Sequence, residues 1–316
     1  MKTLSPLLVI IQAFLATHSV ASDYLNEFEK LKKSANDPEI RAFLAKSAEA
    51  EQANPDYYAT AGDYWWQRSQ SVTITTKPTE GNDLSIRDQK SGKEVGSIST
   101  LGQTDPEIPK KAINILQEGM RRFPERADIA LGLAHSQQKM GLNTECIQTL
   151  INLLAYARKE PESLRWKKND RLPKEANQFI PEAIQGYSAR LYQSGSAESH
   201  SLCKRLCDAT IETFPDHPFA YNIKAALASA AGNQDEYLEL MKTAHLKAPN
   251  DPLILLNLGD AYVQANQHIK AKESYGAVLK LKEIDESLKQ QAQDAINFVE
   301  QSSGPKSDTS PPAPTE

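Results

Sequence analysis

Two prolines near the C-terminal end of the chain, Pro215 and Pro249, each follow a pair of predicted helices. The interval between them matches one helix-turn-helix repeat of about 34 residues, and a single repeat of this kind cannot bury its apolar face alone. Stacked repeats do bury it, each against its neighbours. The spacing therefore predicts an all-α solenoid of helix pairs.

The stretch after Pro249 carries the residues of a known repeat, running Pro252-Leu-Ile-Leu-Leu-Asn-Leu-Gly-Asp-Ala-Tyr262, with Ala271 and Tyr275 beyond it. It resembles the tetratricopeptide repeat consensus, in which Leu, Gly and Tyr on the first helix are followed by Ala and an aromatic residue on the second. The preceding unit matches that pattern at several positions and departs from it at two. The matches are Tyr221, Ala225, Gly232, Ala244 and Pro249, and the departures are Lys224 and Tyr237.

The resemblance covers roughly residues 54–282 and implies both a fold and a class of function. Proteins of this family are helical scaffolds that bind partners and seldom catalyse. The resemblance thus implies a non-catalytic scaffold that holds a protein or peptide segment in its concave groove. The chain also looks like exported bacterial repeat proteins that have no assigned activity.

The segment 1–21 has the pattern of a secretory signal peptide. Lys2 precedes a mostly apolar run from Leu4 to Ala16, and small residues stand before Ser22, where cleavage is expected near Ala21. The run is too short to span a bilayer, so no transmembrane segment is predicted. We therefore expect a chain exported to the periplasm or to the outside of the cell.

The rest of the chain divides by composition and periodicity. We expect N-terminal helices over 22–53, the repeat solenoid over 54–282, a capping helix over 283–301 and a disordered tail rich in Pro, Ser and Thr over 302–316. Residues from about 71 to 98 alternate β-branched and polar types between turn residues, which predicts a small β-hairpin insertion of two or three strands. The insertion either covers the first repeat or offers an unpaired strand edge to a partner.

The insertion separates the two helices of the first repeat. Asn54-Pro55 begins the first helix, and Tyr58 and Trp65 on it are expected to face the partner helix. That partner helix begins near Pro106, and its small residues, such as Gly119, allow close approach.

Charge and motifs exclude several classes of function. The net charge of −5, which becomes −6 without Lys2, does not suit a nucleic-acid partner. The sequence has no Gly-rich phosphate loop and no His, Cys or carboxylate pairs at metal-ligand spacing, so we assign no catalytic residue, no metal and no cofactor. Cys146, Cys203 and Cys207 read as buried small residues, with a disulfide from Cys146 to either of the others as the alternative.

Aromatic residues concentrate between Tyr57 and Trp66. Most of these rings are expected to pack, whereas the register of the repeat leaves Trp66 either in the core or as an exposed ring on the concave face, beside Asp63. The same register places further polar residues on that face, where amide groups can hydrogen-bond a peptide backbone. The predicted groove residues are Asp63, Trp66, His135, Gln138, Gln185, Tyr192, Asn222, Asp260 and Gln264.

Two other functions stay open from the sequence. A glycan-binding module would stack Trp66, Tyr64 and Trp166 on sugar rings. An enzyme on the repeat scaffold would need titratable groups that converge in one pocket. The groove pattern also departs from the Lys and Arg arrangement of chaperone-binding family members, so a ligand with a C-terminal carboxylate is not expected.

Overall fold

The computed structural model describes residues 24–34, 36–70, 73–75, 84–89, 91–99 and 105–303. The expected signal peptide and the expected tail from residue 304 onward lie outside these described residues. The chain divides into two compact units, an N-terminal unit that ends at Phe179 and a C-terminal unit that begins at Ile180. None of the described helices has the length and apolar character needed to cross a membrane.

The N-terminal unit is built from six described helices. They are α1 (residues 24–34), α2 (Asp37–Ala50), α3 (Pro55–Ser69), α4 (Glu107–Arg122), α5 (Ala127–Lys139) and α6 (Asn143–Lys159). Side-chain caps begin two of them: the Asn36 side chain accepts from the Glu39 N–H, and the Asn54 side chain accepts from the Asp56 N–H. After α6 the chain makes two short 3₁₀ turns, Pro161–Ser163 and Lys167–Asn169.

Three short strands lie between α3 and α4: β1 (Thr73–Thr75), β2 (Leu84–Arg87) and β3 (Glu94–Ser99). They form one antiparallel sheet in the order β1-β3-β2, with Ile74 opposite Ile98. The sequence predicted a β-hairpin insertion of two or three strands at this place, and in the structure β3 pairs with one strand on each side. A turn connects β2 to β3, because the Gly92 N–H donates to the Asp88 carbonyl at 2.9 Å and Gly92 has a φ of +66°.

The helices α3 and α4 pack as partners across this insertion, as the sequence predicted. They approach closely because glycines face large side chains: a Cβ on Gly119 would lie 2.5 Å from the Cβ of Tyr58, and one on Gly62 would lie 2.5 Å from Leu116 Cγ. The rings around this contact form a buried aromatic cluster, Tyr24, Phe28, Tyr57, Tyr58, Tyr64, Trp65 and Trp66. The ammonium group of Lys111 on α4 lies 3.7 Å from the centre of the Trp65 ring, a cation–π contact.

The C-terminal unit contains most of α7 (Ala176–Ser194), followed by six helices in sequence. They are α8 (Ala197–Thr213), α9 (Pro218–Ala230), α10 (Gln234–Lys247), α11 (Pro252–Gln264), α12 (His268–Leu279) and α13 (Glu286–Ser303). The first helices of two pairs begin at Pro218 and Pro252, and the turns inside these pairs contain left-handed residues at Gly232 and Asn266. Both intervals equal the one between Pro215 and Pro249, which confirms the predicted period of the helix pairs.

One helix contains a proline beyond its first turn. The helix α7 begins at Ala176, five residues before Pro181, and includes Pro181. The additional turn is held by the Glu175 carbonyl, which accepts from the Phe179 N–H at 2.8 Å, and by the Phe179 ring, which contacts Trp166 edge to face. The turn before the proline is therefore stabilised by contacts that the position of a proline in the sequence does not reveal.

In the core of the C-terminal unit, small residues on one helix pack against large side chains on the next. Gly259 on α11 lies directly against the ring of Tyr275 on α12, and the Tyr275 hydroxyl donates to Asp260 Oδ1 at 2.6 Å. Cys203 and Cys207 are free thiols buried in this core, and Cys146 is buried on α6 of the N-terminal unit, so all three are buried as the sequence predicted. The thiol of Cys203 donates to the Ser188 carbonyl at 3.2 Å.

Candidate binding cleft

A cleft of about 490 Å³ opens in the N-terminal unit between α1, α3, α5 and the loop that follows α6. Its apolar lining comes chiefly from Leu25, Phe28, Ala59, Leu116 and Leu131. Polar and charged side chains from all four elements surround that lining: Glu29, Lys32, Asp56, Thr60, Asp63, Asp128, His135, Ser136, Lys167 and Lys168. Trp66, Gly132 and Trp166 complete it, and the combination of apolar floor and polar rim is typical of a binding site.

One end of the cleft is built on a buried ion network. The guanidinium of Arg126, which has no exposed surface, donates to both carboxylate oxygens of Asp128 at 2.8 Å and to Asp56 Oδ1 at 2.7 Å. Burial disfavours the charged guanidinium, but the bonds to Asp128 and the charges of both aspartates outweigh it and raise the pKa of Arg126. The guanidinium of Arg126 therefore keeps its charge, and its bonds to Asp56 and Asp128 tie the start of α3 to the start of α5.

The same network holds the loop after α6, which we call the anchored loop (residues 160–170). The backbone N–H of Lys168 donates to Asp56 Oδ1 at 3.1 Å. The loop also pairs with the chain before α5, because the Arg165 N–H donates to the Glu125 carbonyl at 2.8 Å and the Ala127 N–H donates to the Arg165 carbonyl at 3.0 Å. These bonds hold the side of the cleft that carries Lys167 and Lys168 in one position.

Two consecutive residues of the anchored loop have left-handed backbone conformations, Lys168 at a φ of 59° and Asn169 at a φ of 58°. For residues other than glycine this conformation costs about 1 kcal/mol or more. The contacts to Asp56 and to the start of α5 stabilise it. The loop is thus a constrained part of the cleft wall.

The other end of the cleft contains three of the predicted groove residues, Asp63, Trp66 and His135. Asp63 accepts from the Gln67 side chain at 2.7 Å, and the His135 ring meets Trp66 edge to face with 6.0 Å between centroids. Trp66 is only 8% exposed. Of the two placements that the sequence left open for Trp66, the structure has the buried one, because the aromatic cluster and His135 cover most of the indole and leave only part of it at the cleft.

The structure places the other predicted groove residues elsewhere. Gln138 is half-buried on α5 and is not among the residues that line the cleft. In the C-terminal unit the Asn257 amide donates to Asn222 Oδ1 at 2.8 Å, and the Ser229 hydroxyl donates to Gln264 Oε1 at 3.4 Å, so α9 and α11 share one amide-bearing face. Asp260 is exposed on α11.

Gln185 and Tyr192 are both half-buried on α7. The ring of Tyr192 stacks on His200, with 5.7 Å between centroids and an angle of 15° between planes. A second cavity of about 400 Å³ lies among α8, α9 and α10. Alanines, one leucine and polar or charged side chains line it, and none of the predicted groove residues is among them.

The sequence interpretation missed the residues that organise the cleft, namely Arg126, Asp56 and Asp128, and the lysines on its rim. One signal was available. Asp56 is the second residue of α3 and Asp128 is the second residue of α5, so the two aspartates occupy the same position in their helices. Nothing local connects them to the anchored loop, which lies 112 residues from Asp56 along the chain.

The described residues contain no group of three or more His, Cys, Asp or Glu side chains that could hold a metal ion. No protein-family model matches the chain, and no curated protein matches it.

Several solved structures resemble the chain. TTC0263 of Thermus thermophilus, described as a thermophilic TPR protein, is 14% identical and the match covers 60% of this chain and 92% of that one, with a TM-score of 0.37. YrrB, described as a TPR protein with an unusual peptide-binding site, is 14% identical over 60% of this chain and 84% of its own, with a TM-score of 0.37. PilF of Pseudomonas aeruginosa is 11% identical over 78% and 89%, with a TM-score of 0.39. These TM-scores are below 0.5, so the description of the fold rests on the helix pairs themselves.

Proposed function

We propose that this protein is an exported, non-catalytic scaffold that binds a peptide or protein segment in the cleft of the N-terminal unit. The observation that carries the proposal is the cleft itself, in which an apolar floor and polar side chains from four separate elements converge. Its volume of about 490 Å³ falls in the range of about 300–1,000 Å³ that is usual for binding sites. The buried ion network and the anchored loop fix its walls before a ligand arrives, which lowers the entropy cost of binding.

The rings near the cleft favour a peptide over a glycan. Trp66 is mostly covered, and Tyr64 is buried and donates to the Asp37 carboxylate. Trp166 is half-buried and is contacted by Phe179 edge to face. Stacking on a sugar needs an open ring face. The covered rings instead suit a site in which apolar side chains of a peptide enter between Phe28, Leu116 and Leu131.

Three carboxylates of the cleft favour binding over catalysis, because each already has an ion-pair or hydrogen-bond partner. Asp56 and Asp128 are both committed to Arg126, and Asp63 accepts from Gln67. A general acid or base needs a free proton-accepting position beside the reacting atom. Carboxylates that are already hydrogen-bonded or ion-paired are better suited to holding the shape of a binding site than to acting as a general acid or base.

A cleft-filling substitution tests the proposed function. Gly132 lines the cleft on α5, and the nearest atom to a Cβ there is Leu116 Cδ2 at 3.8 Å, so Gly132→Leu fills the cleft without a backbone clash. Wild type and this variant would be applied to an array of peptides from exported and envelope proteins, with acidic, basic and neutral members. We expect the variant to lose the peptides that wild type retains.

The matched control is Gly186→Leu, which changes a glycine in α7 with no atom within 4 Å of its Cβ position. This control should retain peptides as wild type does. Equal retention by Gly132→Leu and wild type, with both equally helical by circular dichroism, would contradict the assignment of the cleft.

Export is tested separately, by cell fractionation and by the intact mass of the purified native protein. We expect the protein in the exported fraction, with a mass that corresponds to a chain beginning at Ser22. A native mass that includes Met1 to Ala21 would contradict export by a cleaved signal.

A further inference from the structure

We propose that the cleft recognises an acidic peptide segment, with Lys167 and Lys168 of the anchored loop binding a carboxylate side chain of the ligand. This inference rests on the proposed function and adds to it the chemistry of the partner. It concerns side-chain carboxylates within a segment, which need no free C-terminus. Two features of the cleft support it, namely the distribution of charge along it and the distance between its two ends.

The end of the cleft at the anchored loop has an excess of positive charge. Two carboxylates, Asp56 and Asp128, lie there with the guanidinium of Arg126 and the ammonium groups of Lys167 and Lys168, so three positive groups face two negative ones. The two aspartates are neutralised in part by the buried Arg126, which leaves the lysines as the exposed charges. Across the described part of the chain, neither lysine side chain has an ion-pair or hydrogen-bond partner.

The charged groups at the other end of the cleft indicate which residue type the second half of the peptide should carry. Asp63 lies seven residues after Asp56 on α3, beside His135, and α1 contributes Glu29 and Lys32, whose charges offset each other. Seven residues of helix rise about 10 Å. An extended peptide covers that distance in about three residues. A ligand with an acidic residue at one end and a basic residue three positions away would therefore meet the lysines and Asp63 together.

The test uses capped fluorescent hexapeptides whose termini carry no charge. One peptide contains Glu-Leu-Leu-Lys and a second contains the reversed order Lys-Leu-Leu-Glu, because the direction of the ligand is open. A third and a fourth replace Glu by Gln. Affinities for the purified native protein are measured by fluorescence anisotropy at low and at high salt.

We expect at least one Glu peptide to bind about tenfold or more tightly than its Gln analogue, and the difference to shrink at high salt. The double variant Lys167→Gln with Lys168→Asn should abolish the difference, and Asn suits the left-handed conformation at position 168. The control Lys33→Gln with Lys159→Gln removes two exposed lysines outside the cleft and should retain the difference.

Three results overturn the inference, and they differ in what they mean for the proposed function. If Gln and Glu peptides bind equally and Gly132→Leu blocks both, the cleft binds peptides without reading the acidic residue. If none of the hexapeptides binds wild type, acidic recognition fails, and the peptide array with Gly132→Leu decides the proposed function independently. An unchanged preference for Glu in the Lys167 and Lys168 double variant also overturns the assignment to these lysines.

Discussion

The two units of the chain pack their helices through different kinds of side chain. The C-terminal unit repeats a short pattern in which small residues such as Gly259 and Ala271 let helices approach, and its turns recur at Gly232 and Asn266. The N-terminal unit instead combines a buried aromatic cluster with a buried ion network around Arg126. The C-terminal unit is the regular one, with helix pairs that begin at Pro218 and Pro252, and the irregular N-terminal unit contains the cleft.

This difference shows where the regular packing of helix pairs in the chain is replaced by other contacts. Consensus residues are sufficient when a helix pair only has to pack against the next pair. The elements around a cleft must be held apart in fixed positions. Hydrogen bonds between charged groups can do this, because they are directional and apolar contacts are not. The buried charges of the N-terminal unit are thus part of its site as well as of its core.

The largest effect that would test the comparison comes from Arg126. Replacing it by Met leaves Asp56 and Asp128 buried without a cation, which should lower the free energy of unfolding by about 3–5 kcal/mol. All three tryptophans, Trp65, Trp66 and Trp166, lie in the N-terminal unit, so their fluorescence during urea unfolding reports on that unit.

The control for that prediction is Lys224→Met in the C-terminal unit, whose unfolding is followed by far-ultraviolet circular dichroism because all three tryptophans lie in the other unit. Lys224 Nζ lies 2.6 Å from Asp208 Oδ1, but the pair is partly exposed, so its loss should cost at most about 1 kcal/mol. A cost below about 1 kcal/mol for Arg126→Met as well would mean that the two units do not differ in the way described.

A smaller effect is expected from glycine substitutions that probe helix approach. Gly259→Ala would place a methyl group against the rigid ring of Tyr275 and should destabilise the C-terminal unit by about 1–3 kcal/mol. Gly132→Ala has room at its Cβ position and should instead stabilise its helix by up to about 1 kcal/mol. Urea unfolding followed by far-ultraviolet circular dichroism measures both. Stabilisation by Gly259→Ala would show that α11 and α12 are not in close contact.

The smallest expected effect is a difference in sensitivity to alkaline pH. Burial raises the pKa of Tyr24, Tyr57, Tyr58 and Tyr64 in the N-terminal unit. In the unfolded chain these phenols ionise near a pKa of about 10. Because the folded pKa is the higher one, the stability that these phenols contribute is complete only well below the unfolded pKa of about 10. It is lost progressively as the pH approaches and passes that value and rises toward the folded pKa.

At about pH 9.5 the loss is about 0.2 kcal/mol for each fully buried phenol. In the C-terminal unit burial likewise raises the pKa of Tyr237 and Tyr275, but these are two phenols against four in the aromatic cluster. Unfolding followed by tryptophan fluorescence should therefore shift more between about pH 8 and 9.5 than unfolding followed by circular dichroism. An equal shift by both methods would argue against the aromatic cluster as the source.

The sequence predicted the helix pairs well because their signals are local and repeat. Pro218 and Pro252 mark helix starts, and the glycine positions follow from the close approach of neighbouring helices. The repeat register also placed Asp63, Trp66 and His135 on one face, and all three line the cleft, while their role in binding a partner stays a prediction.

The remainder of the site depends on contacts between distant parts of the chain. The covering of Trp66 arises from the aromatic cluster and from His135, which lies on another helix beyond the insertion. The bond from Lys168 to Asp56 follows from the path of a loop with two left-handed residues that are not glycine. Neither has a periodic signal, because each depends on one particular arrangement in three dimensions.

The insertion between α3 and α4 has a consequence for the order in which the chain folds. These partner helices are separated by residues 70–106, whereas α9 and α10 are separated only by residues 231–233. Closing the longer connection costs about 2 kcal/mol more in chain entropy. Local contacts also form faster than distant ones. We expect the helix hairpins of the C-terminal unit to form early and the pairing of α3 with α4 to limit the rate at which the cleft is completed.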